Sequence, residues 1–227
     1  MKNLLTYNLF ERKSDENLID NVLDIYNDIF ELLKAKVKNK EYFLSNNSEY
    51  FLLLDYKIPM AIAFDSSREH ASFGKIEISG IFKSESIPTL FLKNEHSNEG
   101  DIGYLMSYSA NGNDVKHEIT HMVDVLKHGD FKSIPSNKSQ IDWNDKDIKY
   151  YFNHAYERNA YFVEASTKIY KHIEATPSIL DDFNTFLSFM KLGGPGHAFN
   201  NLTETNKKKF IARSYMLFDL LKNKNDN

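Results

Sequence analysis

The sequence predicts an α+β fold, on three observations. Apolar residues keep helical spacing near the N-terminus, short strand-like runs fill residues 41–96, and helix-period segments take over from residue 111 onward. A chain of 227 residues with 41% hydrophobic content can bury a core as one domain, and it contains no internal repeat. The expected organisation is a single domain over 1–227: an N-terminal helix and sheet over 1–110, a motif-bearing helix over 111–129, and a helical lobe over 130–227.

From about Asp15 to Lys38, the residues Leu18, Val22, Ile25, Ile29, Leu32 and Leu33 recur at helical spacing. Four strand candidates follow, Tyr50–Leu54, Met60–Phe64, Gly74–Ser79 and Thr89–Leu92, separated by polar or proline-bearing turns as in a small antiparallel or mixed sheet. Within them, Ser72 to Leu92 is expected to supply an edge strand along which an extended peptide could pair. Ile102–Tyr108 is a further strand candidate, and Asn111-Gly112-Asn113 reads as a turn. Beyond Gly129 come a polar loop, Ser133–Ser139, a long helix over Asp147–Glu174 and another over Ser178–Leu192. Gly193-Gly194-Pro195-Gly196 reads as a break, and a last helix covers Glu204–Leu221 before a Lys/Asn/Asp tail.

The most informative segment is Asp114–Asp124, which contains His117-Glu118-Ile119-Thr120-His121, a His-Glu-x-x-His pattern. With eight histidines in the chain, composition alone would produce that pattern only about 0.02 times, so chance is a poor account of it. Val115, Ile119, Met122 and Leu126 form an apolar stripe at helical spacing, while His117, His121, Asp124 and His128 share another face. Asn113 or Asp114 can cap the helix and Gly129 can end it. Residues four apart stand one above the other, so both imidazoles can reach one ion while Glu118 leans toward a water as general base. His128 lies eleven residues beyond His117, about 16 Å along a helix axis, and reads as a helix-end residue rather than a ligand.

Composition narrows the alternatives. The chain has no cysteine, which removes disulfides, thiol catalysis and every thiolate zinc site, so any zinc would be held by His and carboxylate. A net charge of −4 without a long basic block argues against nucleic acid as a partner. No apolar run approaches the ~20 residues of a membrane span, and polar residues break the opening Met1-Lys2-Asn3-Leu4-Leu5 before an export core forms. The expectation is a cytoplasmic chain, compatible with association with a virion, that binds neither membrane nor nucleic acid. Its oligomeric state is not legible.

A catalytic zinc site takes three protein ligands. Downstream, Tyr150–Ala165 reads as an aromatic-rich helix containing His154, Glu157 and Glu164. A helix with His-Glu-x-x-His followed by a second helix supplying Glu is similar to the gluzincin arrangement of thermolysin-like metallopeptidases. Glu157-Arg158-Asn159-Ala160-Tyr161 resembles the Glu-x-x-Ala-Tyr stretch of small zincin-like peptidases, many of them from bacteriophages. The opening Met1–Glu11 also looks like the start of many tailed-phage proteins. The resemblance implies a zincin-like metallopeptidase domain, Zn2+ as cofactor, Glu157 as third ligand beside His117 and His121, and Ala160 as the small residue that lets helices approach. It covers these two helices alone. It departs from the thermolysin pattern at Tyr161, where those enzymes carry an Asp that orients a His; here a Tyr hydroxyl or Asp124 could take that role.

That resemblance implies hydrolysis of peptide bonds in a peptide or protein substrate, with zinc-activated water and Glu118 as general base. An oxyanion donor is expected from among Tyr156, His154, Tyr161, Tyr170, His172 and His197. His154, Tyr161 and His197 are the favoured candidates, His197 because the glycine-rich turn could present it on a moving loop. Two other readings stay open: a zincin-fold protein without proteolytic activity that binds a partner or builds a virion, and a zinc amidase acting on cell-wall peptide.

Overall fold

A computed structural model describes residues 17–29, 31, 49–53, 60–65, 72–79, 84–93, 112–128 and 143–225. Its contacts form two compact units, one over 22–123 and the other over 1–21 with 124–227. The divisions fall inside helix α1 (17–29) and inside helix α2 (Gly112–His128).

Helix α1 buries Ile19, Val22, Ile25 and Ile29, so Ile19 rather than the expected Leu18 begins the stripe, and the first unit takes the part from Val22 onward. Four strands follow: β1 (Glu49–Leu53), β2 (Met60–Asp65), β3 (Ser72–Ser79) and β4 (Ser84–Lys93). They pair in the order β1-β2-β4-β3, antiparallel except for the parallel β2–β4 pair. β4 runs through Pro88, upstream of the expected start at Thr89. The paired register explains this: Pro88 lies opposite Lys75 and one residue before the β2 pairing begins at Ala61↔Thr89, so its missing N–H breaks no bond with β2. α2 starts at Gly112, one or two residues before the expected caps, and buries Val115, Ile119 and Met122. Lys116 is also buried, with its ammonium 4.6 Å from the centre of the Tyr26 ring. Burial holds the Tyr26 hydroxyl pKa above its ordinary value.

The second unit is helical in its described part. Asn144 starts α3 (Asp145–Asn153) with a capping box: its side chain accepts from Lys146 and Asp147 N–H at 2.9 and 3.1 Å, and Asp147 accepts the Asn144 N–H at 3.1 Å. α4 (Ala155–Ala175), a 3-10 turn (Pro177–Leu180), α5 (Phe183–Met190), α6 (Gly194–Asn201) and α7 (Glu204–Asn225) complete it. Its core is built from Ala160, Phe162, Val163 and Ile169 of α4 with Ile179, Phe186, Met190, Phe210 and Leu217. Edge-to-face ring pairs join α4 to α7 (Phe162–Phe210, 5.7 Å) and α5 to α7 (Phe186–Phe218, 5.4 Å).

Several expectations need correcting. The α+β, zincin-like class is one: the described residues are mostly helical, and the small sheet is the lesser component. Strand-like texture over 41–96 gave the sheet too much weight. Among the described side chains, Ile62 and Leu90 are the strand residues in the buried apolar set, while helices and their junctions supply the others. The continuous helix expected over Asp147–Glu174 is broken at His154, whose backbone is extended (φ −64°, ψ 142°). Asn153 explains the break. Its Nδ2 donates to Lys149 O (2.6 Å) and Asn201 O (3.0 Å), and its Oδ1 accepts from Thr203 N–H and Asn206 Nδ2, both at 2.8 Å. The run Gly193–Gly196 is not an open loop: Gly193 is the N-cap of α6, and Gly194, Pro195 and Gly196 form its first turn. Gly193 has φ 70°, and a Cβ on Gly196 would clash with the Lys191 carbonyl oxygen. The helix expected from Ser178 starts at Phe183, after the 3-10 turn. The opening Met1–Glu11, the Ile102–Tyr108 strand candidate and the Ser133–Ser139 loop lie outside the described residues.

Candidate metal centre

Helical spacing sets His117 and His121 on one face of α2, with ring centroids 4.8 Å apart and planes 81° to one another. Glu157 belongs to the first turn of α4. All three are buried, and one ligand atom from each lies within 4.8 Å of those of the other two, so the group could hold a metal ion. The donor chemistry fits such an ion. Two imidazoles and a carboxylate suit a borderline divalent cation, and a carboxylate this buried is costly unless positive charge stands near it.

Glu118 follows the first histidine and is half-buried. Its Oε2 accepts the backbone N–H of Phe73 on β3 at 2.7 Å, which fixes the orientation of the carboxylate. Since the Phe73 N–H is directed to Glu118, it is directed away from β4. By the alternation of a strand, Lys75, Glu77 and Ser79 direct their backbone groups the same way. β3 is an edge of the sheet among the described residues.

Asp124 is buried on α2, three residues beyond His121. Asn159 Nδ2 donates to it at 3.3 Å, Asn159 Oδ1 accepts from Arg213 at 3.1 Å, and the Arg213 guanidinium lies 3.9 Å over the Phe162 ring. The sequence singled out Asp124 but neither Asn159 nor Arg213. Those two contacts join residues 35 and 54 positions apart, beyond any local pattern. A polar Asn159 facing inward between buried Glu157 and Ala160 was the available hint.

The three favoured oxyanion donors lie around Phe152 and the break. His154 stands between α3 and α4, its ring 5.3 Å from Tyr156 and 6.3 Å from Tyr150, and its Nδ1 is buried without a hydrogen-bond partner among the described residues. Tyr161 and His197 each pack against the Phe152 ring, with centroids at 5.5 and 5.2 Å. His197 sits on α6 itself, not on a loop. Neither His154 nor His197 joins the three-residue group. Among the described residues, no helix is long and apolar enough to cross a membrane. Comparison with known protein families, curated proteins and solved structures gave no match, so the group's own chemistry carries the functional reading.

Proposed function

We propose that the protein is a metal-dependent peptidase that uses zinc held by His117, His121 and Glu157, with Glu118 as general base. The observation that carries this reading is the buried group of two imidazoles and one carboxylate, with a half-buried glutamate next in sequence to the first imidazole. When bound, zinc supplies a Lewis acid that polarises a scissile carbonyl and acidifies water. Glu118 takes a proton from the attacking water and delivers it to the leaving amine, a task that suits a carboxylate oriented by the Phe73 N–H. An extended peptide as substrate is supported by the edge position of β3 among the described residues, where Lys75, Glu77 and Ser79 direct their backbone groups to the same side as Phe73 and away from β4.

The test is Glu118→Gln. The expected result is unchanged metal stoichiometry with turnover of an unfolded protein or peptide library lowered by about 10²–10⁴-fold. Chelation should abolish wild-type turnover and zinc should restore it. Equal activity of wild type and Glu118→Gln would overturn the reading. Product release from peptidoglycan, with peptides untouched, would replace the peptide substrate by a cell-wall amide.

A further inference from the structure

The group of His117, His121 and Glu157 takes two residues from α2 and one from α4. Close to two of them in sequence, a polar chain is built within the second unit. Asp124, three residues beyond His121, is 3% exposed and accepts from Asn159 Nδ2 at 3.3 Å; Asn159 stands two residues beyond Glu157. Asn159 Oδ1 accepts from Arg213 Nη1 at 3.1 Å, and the Arg213 guanidinium lies 3.9 Å over the ring of Phe162, a buried residue of α4 itself. The amide thus has a carboxylate on its donor side and a guanidinium on its acceptor side. Turned over, it would face its NH2 to the cation and its oxygen to the anion. One orientation alone is favourable, and each bond strengthens the other.

Stability alone is a weak account of such a chain, because well-packed apolar side chains of similar size do as well as a buried charged network. Its place in the fold gives another account. α2 is one continuous helix from Gly112 to His128, so fixing Asp124 fixes the rotation and rise of the turn before it, about 4.5 Å back along the axis, which carries His121. Metal ligands bind tightly only where neighbouring groups hold them in place. We propose that Asn159 is a positioning residue for the metal group: oriented by Arg213, it holds Asp124, and with it the His121 turn of α2, in register with the Glu157 turn of α4. This role rests on the reading of His117, His121 and Glu157 as zinc ligands; Asn159 itself is not one of the three.

The test loads the full chain, freed of metal by chelator, with zinc and, in parallel, with cobalt(II), whose visible absorption reports ligand geometry. Asn159→Leu keeps the size of the side chain and loses both bonds. Its Kd for zinc should rise about 10–100-fold, and its cobalt spectrum at saturation should differ from that of wild type. Arg213→Met, which keeps an apolar stem over Phe162, should move both readouts the same way by less, and it carries the comparison if Asn159→Leu does not fold. The double variant should bind zinc no more weakly than Asn159→Leu, since Arg213 acts through Asn159. Gly196→Ala strains α6 and touches none of these bonds, so its saturated cobalt spectrum should match wild type. Wild-type zinc affinity and an unchanged cobalt spectrum in Asn159→Leu would overturn the positioning role alone. So would a spectrum shifted equally by Gly196→Ala, which would reduce the effect to stability. Additive zinc losses in the double variant would overturn the part given to Arg213. A wild-type chain that binds neither zinc nor cobalt would overturn the ligand reading together with the positioning role.

Discussion

Helix α4 buries two glutamates two turns apart, Glu157 at 4% exposure and Glu164 at 5%. Their surroundings differ. Glu164 has a lysine one turn along the same helix, with Lys168 Nζ 2.7 Å from its Oε1, and it packs against the start of α6, where a Cβ on Gly194 would lie 3.3 Å away. Glu157 is grouped instead with two imidazoles from α2. Burial alone therefore does not mark a functional carboxylate. The type of neighbour separates them: Glu164 has an ammonium on its own helix, whereas two imidazoles beside Glu157 complete a group that could hold a metal ion.

The largest effect that can break this contrast is metal binding. Glu157→Gln should abolish stoichiometric zinc in protein purified without a histidine tag, while Glu164→Gln should keep it. In thermal melts, added zinc should raise the Tm of wild type and Glu164→Gln but not of Glu157→Gln. Zinc retained by Glu157→Gln would mean that the two glutamates do not differ in the way their neighbours suggest. Next in size is the structural side of the contrast. Glu164→Gln leaves a largely buried Lys168 without its countercharge and should lower the unfolding free energy by about 3 kcal/mol in denaturant titrations. Adding Lys168→Met should recover part of that loss, and a purely additive double variant would show that the pair is not coupled.

A smaller effect tests the turn that carries α6 up to Glu164. Gly196→Ala drives a methyl into the Lys191 carbonyl, so the first turn of α6 must shift, and a loss of about 1–3 kcal/mol is expected from overpacking. An unchanged Tm would show that the turn yields easily.

The smallest effect comes from a third, exposed carboxylate. Asp182 caps α5, accepting the Thr185 N–H at 2.8 Å and its hydroxyl at 3.0 Å, and these bonds hold its carboxyl below the ordinary 3.8. A lowered folded-state pKa stabilises above the ordinary value and loses that contribution as pH falls through the lowered one. Asp182→Ala should therefore melt below wild type at neutral pH, with the gap closing in acid. A gap that persists at the most acid pH would assign the effect to the cap geometry rather than to the charge.

The parts of this molecule that could be read from its sequence are those whose causes are local. His117, Glu118 and His121 declare themselves because three residue types at helical spacing need nothing else, and the buried Val115, Ile119 and Met122 follow from the same period. Glu157 was reachable only through a resemblance of its neighbourhood, yet it belongs to the buried group. The class itself was misjudged, because strand-like runs are conspicuous in a sequence while the weight of the helical part emerges only from packing. The break at His154 was hidden for a related reason. Nothing near residue 154 forbids a helix; the partners that hold Asn153 lie 48 to 53 positions away. Gly196 is similar, since its glycine reads as a flexible linker until the Lys191 carbonyl is seen beneath it.

Asn153 also has a consequence for how the second unit opens. One side-chain amide fastens the last turn of α3, the final carbonyl of α6 and the first residues before and within α7. None of these ends can fray alone, because releasing any of them strips a bond from the same amide. The Thr203 N–H sits on an exposed residue, where rapid exchange with solvent would be the rule, but it is bound to Asn153 Oδ1. Its exchange should follow the slow, concerted opening of three helix ends rather than the fast breathing of one.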